Sequence, residues 1–281
     1  GSISRDGGNT FRSLGNMHSD IHDLAFGISD SDIFYAGTDG GLYRSWDGGN
    51  TMEICEDLPL SQFYQISVDN AEPYNVYGGL QDNGSWIGPS KGLNGISNCD
   101  WQSVGYGDGF NVVPDPTDKN ILYWQYQGGN VMRFHKSTRE IKEIKPFTDN
   151  PDIKLRFNWD TPIAFSPTKD GVMYVGSQYL YRTTNRGDSW EKISPDLTTN
   201  DREKQKQEES GGLTIDNSTA ENHCTIYTIS ESPKDSKIIW AGTDDGNLQV
   251  TSDDGKNWTD VTSNVPGLPK STWCAKVQAS N

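Results

Sequence analysis

The chain has 281 residues and a formal net charge of −15, with 39 Asp and Glu against 24 Lys and Arg. That length is ample for a buried core, and that charge argues against nucleic acid or an anionic membrane surface as a default partner. No run of about 18 apolar residues exists, so the sequence predicts no membrane-spanning helix.

Ser4–Phe11 reads SRDGGNTF, a phrase of the form Ser/Thr-x-Asp/Asn-x-Gly-x-x-aromatic, and Phe11–Leu14 follows it as a short strand. Leu24–Phe26 and Ile33–Thr38 form the next pair of strand-like runs, and the phrase returns as SWDGGNTM at Ser45–Met52, where Met replaces the aromatic. Ile66–Val68 precedes Asn75–Gly79, Val112–Pro114 precedes Ile121–Trp124, and Ile163–Phe165 precedes Val172–Gly176. The third copy, TTNRGDSW at Thr183–Trp190, comes next, then Ile229, Ile238–Gly242 and a fourth copy, TSDDGKNW at Thr251–Trp258. Thr272–Val277 matches the start of another unit. The runs are short, rich in β-branched and aromatic residues, and bounded by Gly, Pro, Asp and Asn, which is a strand signature.

A fixed phrase at a repeating interval marks a repeat architecture. The expected fold is an all-β propeller of four-stranded blades at about 20–57, 62–105, 108–147, 157–195 and 223–263, one domain over 1–281. The terminal strands belong either to a sixth, closing blade or to a larger ring of which this chain is a piece; unpaired edges favour the piece. Ser194–Glu221 contains a charged insertion at 196–221, the one segment with a claim to helix. Cys55, Cys99, Cys224 and Cys274 lack zinc-site spacing and read as free thiols packed in strands.

Within each phrase the Asp or Asn (Asp6, Asp47, Asn185, Asp253) suits an Asx-type turn, accepting from amides about two residues on. The Gly supplies a positive φ, and the final aromatic pins the turn. These acids therefore read as structural. Chemistry is expected at or just before each first strand, which lines the central channel. There stand Asp20 and His22, then Asp108, then Trp159 and Asp160. Asp20, Asp108 and Asp160 with His22 form an expected ring able to hold a cation, or a sugar with Trp159 stacking; the plainer alternative is a polar, water-filled channel. Gln81 and Asp82 precede an Asn-Gly turn that does not need them, which makes them further ligand candidates. No cofactor and no dedicated metal site is expected.

A glycosidase needs two carboxylates flanking a bond; Asp108 and Asp160 are the pair to test, with Trp159 or Trp86 as a platform. A sialidase needs converging arginines, and the channel column has none. Gly-x-Ser-x-Gly and Gly-x-x-x-x-Gly-Lys-Ser/Thr are absent.

The repeated phrase resembles the Asp-box, or BNR repeat. With AGTDGGLY at Ala36–Tyr43, GGLQDNGSW at Gly78–Trp86, LRFNWDTPI at Leu155–Ile163 and SPDLTTND at Ser194–Asp201, nearly the whole chain resembles secreted bacterial BNR-repeat proteins of sortilin or "glycosyl hydrolase" type. The resemblance implies an exported protein, extracellular or periplasmic, with glycan, peptide or protein ligands and further blades or self-association at open edges. It carries over no catalytic residue. The leading expectation is a binding or scaffold module. The rivals are a xyloglucan-cleaving glycoside hydrolase completed by other sequence, and a sortilin-like peptide receptor.

Overall fold

The computed structural model describes residues 1–58, 60–210 and 218–280, so part of the expected insertion, 211–217, lies outside the described residues. A two-stranded sheet, β1 (Ser2–Ile3) and β2 (Arg12–Ser13), comes first. Five four-stranded antiparallel sheets follow, each a meander in sequence order. Blade 1 is β3 (Ile21–Phe26), β4 (Phe34–Thr38), β5 (Gly41–Ser45) and β6 (Glu53–Ile54). Blade 2 is β7 (Phe63–Val68), β8 (Asn75–Leu80), β9 (Gly84–Pro89) and β10 (Gln102–Gly105). Blade 3 is β11 (Val112–Pro114), β12 (Ile121–Tyr126), β13 (Asn130–His135) and β14 (Ile141–Glu143). Blade 4 is β15 (Ile163–Phe165), β16 (Met173–Gly176), β17 (Leu180–Thr183) and β18 (Glu191–Lys192). Blade 5 is β19 (Ile226–Glu231), β20 (Ile239–Thr243), β21 (Leu248–Thr251) and β22 (Thr259–Asp260). The architecture is an all-β array of propeller blades.

Two segments differ from the sequence expectation. Thr272–Val277 forms no sheet strand, yet it lies along blade 5. The Cys274 N–H donates to the Thr243 carbonyl (3.0 Å), but the Val277 and Ala279 N–H groups donate to the hydroxyls of Thr228 (3.1 Å) and Ser230 (3.0 Å), which replace a backbone ladder. Short 3-10 turns occur in the insertion (Glu203–Gln205, Gln207–Glu209) and also outside it, at Asn98–Asp100 and Thr262–Asn264. The first of these outside turns is closed by the Ser97 N–H and Asp100 Oδ2, 2.7 Å apart.

Packing follows the period of two along each strand. In β12, Leu122 and Trp124 face blade 2, meeting Tyr77 and Val104; Ile121 and Tyr123 face blade 4, meeting Met173 and Val175. Tyr174 and Leu180 of blade 4 pack against Ile226, Ile239 and Ala241 of blade 5. The N-terminal pair covers blade 1 through Leu14, Phe34, Ala36 and Met52. Each such fully buried large side chain contributes about 1.5–3 kcal/mol. Blade 1 is less enclosed: Leu24 and Phe26 on β3, and Ile66 and Val68 on the neighbouring β7, remain exposed.

The four repeated turns join strands three and four, or β1 and β2, and share one hydrogen-bond scheme. In the second copy the Gly49 N–H donates to Ser45 Oγ (2.8 Å), and the Thr51 N–H donates to Asp47 Oδ1 (2.9 Å). In the fourth, the Gly255 N–H donates to Thr251 Oγ1 (3.0 Å) and the Asn257 N–H to Asp253 Oδ1 (2.8 Å). The carboxylate thus accepts from the amide four residues on, not two, because the hydroxyl takes the nearer amides. The Gly of the repeated phrase has φ of +81° at Gly49 and +89° at Gly255, a region open to Gly.

The closing aromatic does more than pin its own turn. Trp190 Nε1–H donates to the Ile144 carbonyl (2.7 Å), and Trp258 Nε1–H donates to the Ile193 carbonyl (3.0 Å). Each indole therefore ties its blade to the one before. Phe11 has no such donor and stays exposed. Replacing Trp190 by Phe keeps most of the packing but orphans a carbonyl; we expect a loss of roughly 1–2 kcal/mol in urea unfolding, and an unchanged midpoint would contradict this role.

Buried tyrosines on the second strands are satisfied by carboxylates. Tyr77 donates to Asp69 (2.8 Å), Tyr123 to Asp115 (2.9 Å) and Tyr174 to Glu231 (2.6 Å). Burial works against the charge of Asp69, but hydrogen bonds from Asn75 and Tyr77 outweigh it and hold the carboxyl at about 2. A depressed folded-state value means that its stabilisation is complete above the unfolded value near 3.9 and is lost as pH falls towards about 2. Asp69→Asn should flatten the fall of Tm across that acid window, measured by thermal melts; an unaltered slope would refute the assignment.

Candidate functional site

The antiparallel order sorts the connections onto two faces. Turns joining strands one to two and three to four share one face, which carries the repeated Asp or Asn turns. Turns joining strands two to three, and the segments entering each first strand, share the other. All seven expected ligand residues (Asp20, His22, Gln81, Asp82, Asp108, Trp159 and Asp160) lie on this second face. They do not form one ring there.

One group runs along the rim from blade 1 to blade 3. His22 Nε2 lies 2.6 Å from Asp39 Oδ1, and Asn83 Nδ2–H donates to the Asp39 carbonyl (2.9 Å). Asp20 is exposed beside Ser19 and His18. Gln81 contributes its backbone, with its N–H donating to the Gln62 carbonyl (3.3 Å) and its own carbonyl accepting the Asn83 amide (2.8 Å). The Asp82 N–H donates to Asp108 Oδ1 (2.8 Å), and Gln127 Nε2–H donates to Asp108 Oδ2 (2.6 Å). Burial, then the charges of Asp108 and Asp39, raise the Asp82 carboxyl above the usual range. The chain is tightly pressed here: a Cβ on Gly109 would stand 2.1 Å from the Gly84 carbonyl oxygen. Only Gly fits that approach.

Asp108 therefore clasps a loop. In return, Gln127, just after the second strand of its blade, holds Asp108, and side chains in the corresponding turns of blades 4 and 5 make similar clasps. Gln178 accepts the Arg156 N–H (2.8 Å) and donates to the Lys154 carbonyl (2.9 Å). Asp244 accepts from the Thr225 N–H (2.9 Å), the Thr225 hydroxyl (2.6 Å) and Asn158 Nδ2–H (3.0 Å). Among the described residues no group of three or more His, Cys, Asp or Glu is placed to hold a metal ion. Asp108 accepts from two groups of its loop, Asp20 stands at the rim, and Asp160 lies further in, in a second group joined to the rim group through Tyr64, whose hydroxyl feels burial first and then the charges of Asp108, Asp82 and Asp160.

That second group lies where the first strands converge. Gln65 Nε2–H of blade 2 donates to Asp160 Oδ2 (2.7 Å). Asn111 and Gln125 Nδ2/Nε2–H groups of blade 3 approach Asp160 Oδ1 at 3.4 and 3.2 Å, and Gln125 also donates to the Thr161 carbonyl. Burial pushes the Asp160 carboxyl up to about 6, against the opposing hydrogen bond from Gln65 and the charge of Lys276. Aromatic rings surround it. Tyr64 stacks on Phe110 (4.7 Å between centroids), Phe110 meets Trp159 edge-on (6.2 Å), and Tyr227 meets Trp273 edge-on (4.9 Å). Tyr64 and Trp273 remain 39% and 48% exposed, so the rings present open faces.

Local backbone explains why these rings point inward. The register of the first and second strands shifts at Phe63/Gln65 and at Ile226/Thr228, leaving Tyr64 and Tyr227 as the extra residue in each case. Such a bulge leaves one residue unpaired, bends the strand locally and re-aims its side chain. Gln65, Gln125, Tyr64 and Tyr227 thus join Trp159 and Asp160. Tyr64, Gln65 and Tyr227 lie in first strands, where the sequence places chemistry, whereas Gln125 sits mid-strand in β12 and carries no signal in the sequence.

No family model matches the chain. It is 23% identical over 272 residues to a probable oligoxyloglucan-reducing end-specific xyloglucanase of Neosartorya fischeri, covering 84% of this chain and 31% of that protein. Among solved structures it is similar to an ancestral GH74 enzyme, with TM-score 0.49 and 14% identity over 90% of this chain and 32% of the other. It is also similar to a GH74 enzyme of Niastella koreensis, with TM-score 0.44 and 15% identity over 85% and 38%. A third likeness is to YCF48 bound to D1 peptide, with TM-score 0.41 and 13% identity over 93% and 75%. The chain spans about a third of the length of the xyloglucanase and the ancestral GH74 enzyme it matches.

A raised carboxyl has the opposite linkage to Asp69. Between the unfolded value near 3.9 and the folded value of about 6, the native state holds the extra proton, so Asp160 lowers stability as pH rises through that window. Fluorescence of the neighbouring Trp159 should show a transition centred near pH 6 that Asp160→Asn abolishes. A transition that persists in the variant would remove Asp160 as its source.

Proposed function

We propose that the chain is the saccharide-binding part of a glycoside hydrolase-like propeller protein, and that the ligand docks where the first strands converge. The observation that carries this is the set of half-open aromatic rings around a single amide-held carboxyl. Sugars present apolar ring faces and a belt of hydroxyls; Tyr64, Trp159 and Trp273 suit the faces, and Asp160 and Gln65 suit the hydroxyls. The sequence similarity to a xyloglucanase supports a glycan over a peptide, and xyloglucan oligosaccharides are the first probes to use. We read the four repeated turns as Asp-boxes and the protein as exported.

Binding without turnover is the reading for this chain. Hydrolysis requires two carboxyls across the bond, and Asp108, the expected partner of Asp160, has both oxygens engaged by Asp82 and Gln127. One observation favours the second reading, a glycoside hydrolase: the raised Asp160 carboxyl suits a proton donor. In that case the opposing acid comes from sequence beyond this chain.

Calorimetric titration with xyloglucan oligosaccharides separates these readings. The chain should bind, and Trp159→Ala should weaken binding by about tenfold or more. No binding by the wild-type chain, or equal affinity in the variant, would overturn the proposal. Hydrolysis lost in Asp160→Asn with binding retained would establish the second reading in its place.

A further inference from the structure

Each end of the blade array carries part of a blade. On blade 1 that part is the β1–β2 pair. Arg5 pairs with Asp32 (2.8 Å), Arg12 Nη1–H donates to the Gly49 carbonyl (2.8 Å), and Leu14 packs on Phe34, Ala36 and Met52. A repeated turn joins β1 to β2, as it joins third strands to fourth strands elsewhere, so β1 stands in a third-strand place. Among the described residues, its edge away from β2 has no strand beside it.

The pair covers only the outer half of that face of blade 1. The register sets Phe26 opposite Phe34 and Leu24 opposite Ala36, and residues so paired share a face. Phe34 and Ala36 are fully buried beneath the pair, yet Leu24 and Phe26 beside them are 43% and 56% exposed. The apolar contact made by the pair therefore continues past the edge of β1 as an open patch.

On blade 5 the part is the segment 272–279. It is seated as β11 is seated on blade 2, where Ser67 Oγ–H donates to the Val112 carbonyl (2.5 Å). Here the first-strand hydroxyls are those of Thr228 and Ser230, which accept from the Val277 and Ala279 N–H groups (3.1 and 3.0 Å). β11 pairs its other edge with β12, whereas no sheet among the described residues includes 272–279, so its outer edge is open. Open edges of this kind recruit another strand.

The two ends complement each other. One holds outer strands with an uncovered apolar patch inside them; the other holds a strand in the innermost place. Charge agrees with this. Ser13–Tyr43 contains five Asp and no Lys or Arg, while Val261–Ser280 contains two Lys and no acid, in a chain of net charge −15. We propose that copies of the chain associate head to tail. Segment 272–279 of one copy lies beside β1 and over Leu24 and Phe26 of the next, and the two parts make one blade shared between blade 5 of the first and blade 1 of the second. The interface is heterologous, so the patch on one copy meets a different patch on its neighbour.

Sedimentation velocity of the whole chain at rising concentration tests this. The wild type should show a mean mass that climbs with concentration. Phe26→Ser removes an apolar contact from the blade 1 end. Gln278 lies between two residues whose N–H groups point inward, so its own points outward; Gln278→Pro removes that donor and keeps the inward bonds. Each variant alone should need at least about tenfold more protein to reach the same mean mass. An equal mixture of the two should associate at the wild-type concentration and stop at one-to-one pairs, because one intact pair of faces remains. Circular dichroism checks that each variant is folded, and Leu24→Ser takes the place of Phe26→Ser should the latter unfold. A wild type that stays monomeric at every concentration, as an array closed on itself or completed by another protein does, overturns the proposal. So does association that neither folded variant weakens, or a mixture that associates no better than its components.

Discussion

The second strands of blades 3 and 4 bury apolar side chains on both faces, and that constraint shapes the rest. β12 presents Leu122 and Trp124 to one neighbour and Ile121 and Tyr123 to the other. A lone sheet cannot bury both sets, so blades 2 to 5 stand face against face, and their inner strands are carried towards a common axis. Tyr77, Tyr123 and Tyr174 lie within these interfaces, and each keeps its hydroxyl satisfied by a carboxylate. A polar bond thereby makes a large aromatic acceptable in the core.

The same constraint separates stability from recognition. On one face, carboxylates such as Asp47 and Asp253 accept on both oxygens from amides and hydroxyls of their own turns, which fixes them in a structural role. On the other face, in blades 3 to 5 a side chain in the turn after the second strand clasps the segment entering the first, as Gln127 does with Asp108 and Gln178 does with Arg156. Where the first strands meet, aromatic rings and a carboxyl remain partly open, and the bulges at Tyr64 and Tyr227 aim rings there.

The blades were legible because their signals are local: a two-residue period, a repeated turn phrase, and Gly where φ is positive. The carboxylate-to-amide spacing in the turns was misjudged because the Ser or Thr hydroxyl, two residues before the carboxylate, captures the nearer amides. The site was only partly legible. Trp159 and Asp160 could be found by aligning first strands, but the grouping of Asp20, Asp108 and Asp160 could not, since it depends on which loop each carboxylate serves. Gln125 was out of reach of the sequence: it becomes polar lining only when its strand meets the segment at Thr161.

Recognition is assigned to the face opposite the Asp-bearing turns. Hydrogen exchange with and without a saturating xyloglucan oligosaccharide measures this directly. Protection concentrated in the segments around Tyr64, Phe110, Trp159 and Tyr227, with the turns at Asp47, Asn185 and Asp253 unchanged, is the expected pattern. Protection confined to those turns, or none anywhere on the chain, would contradict it.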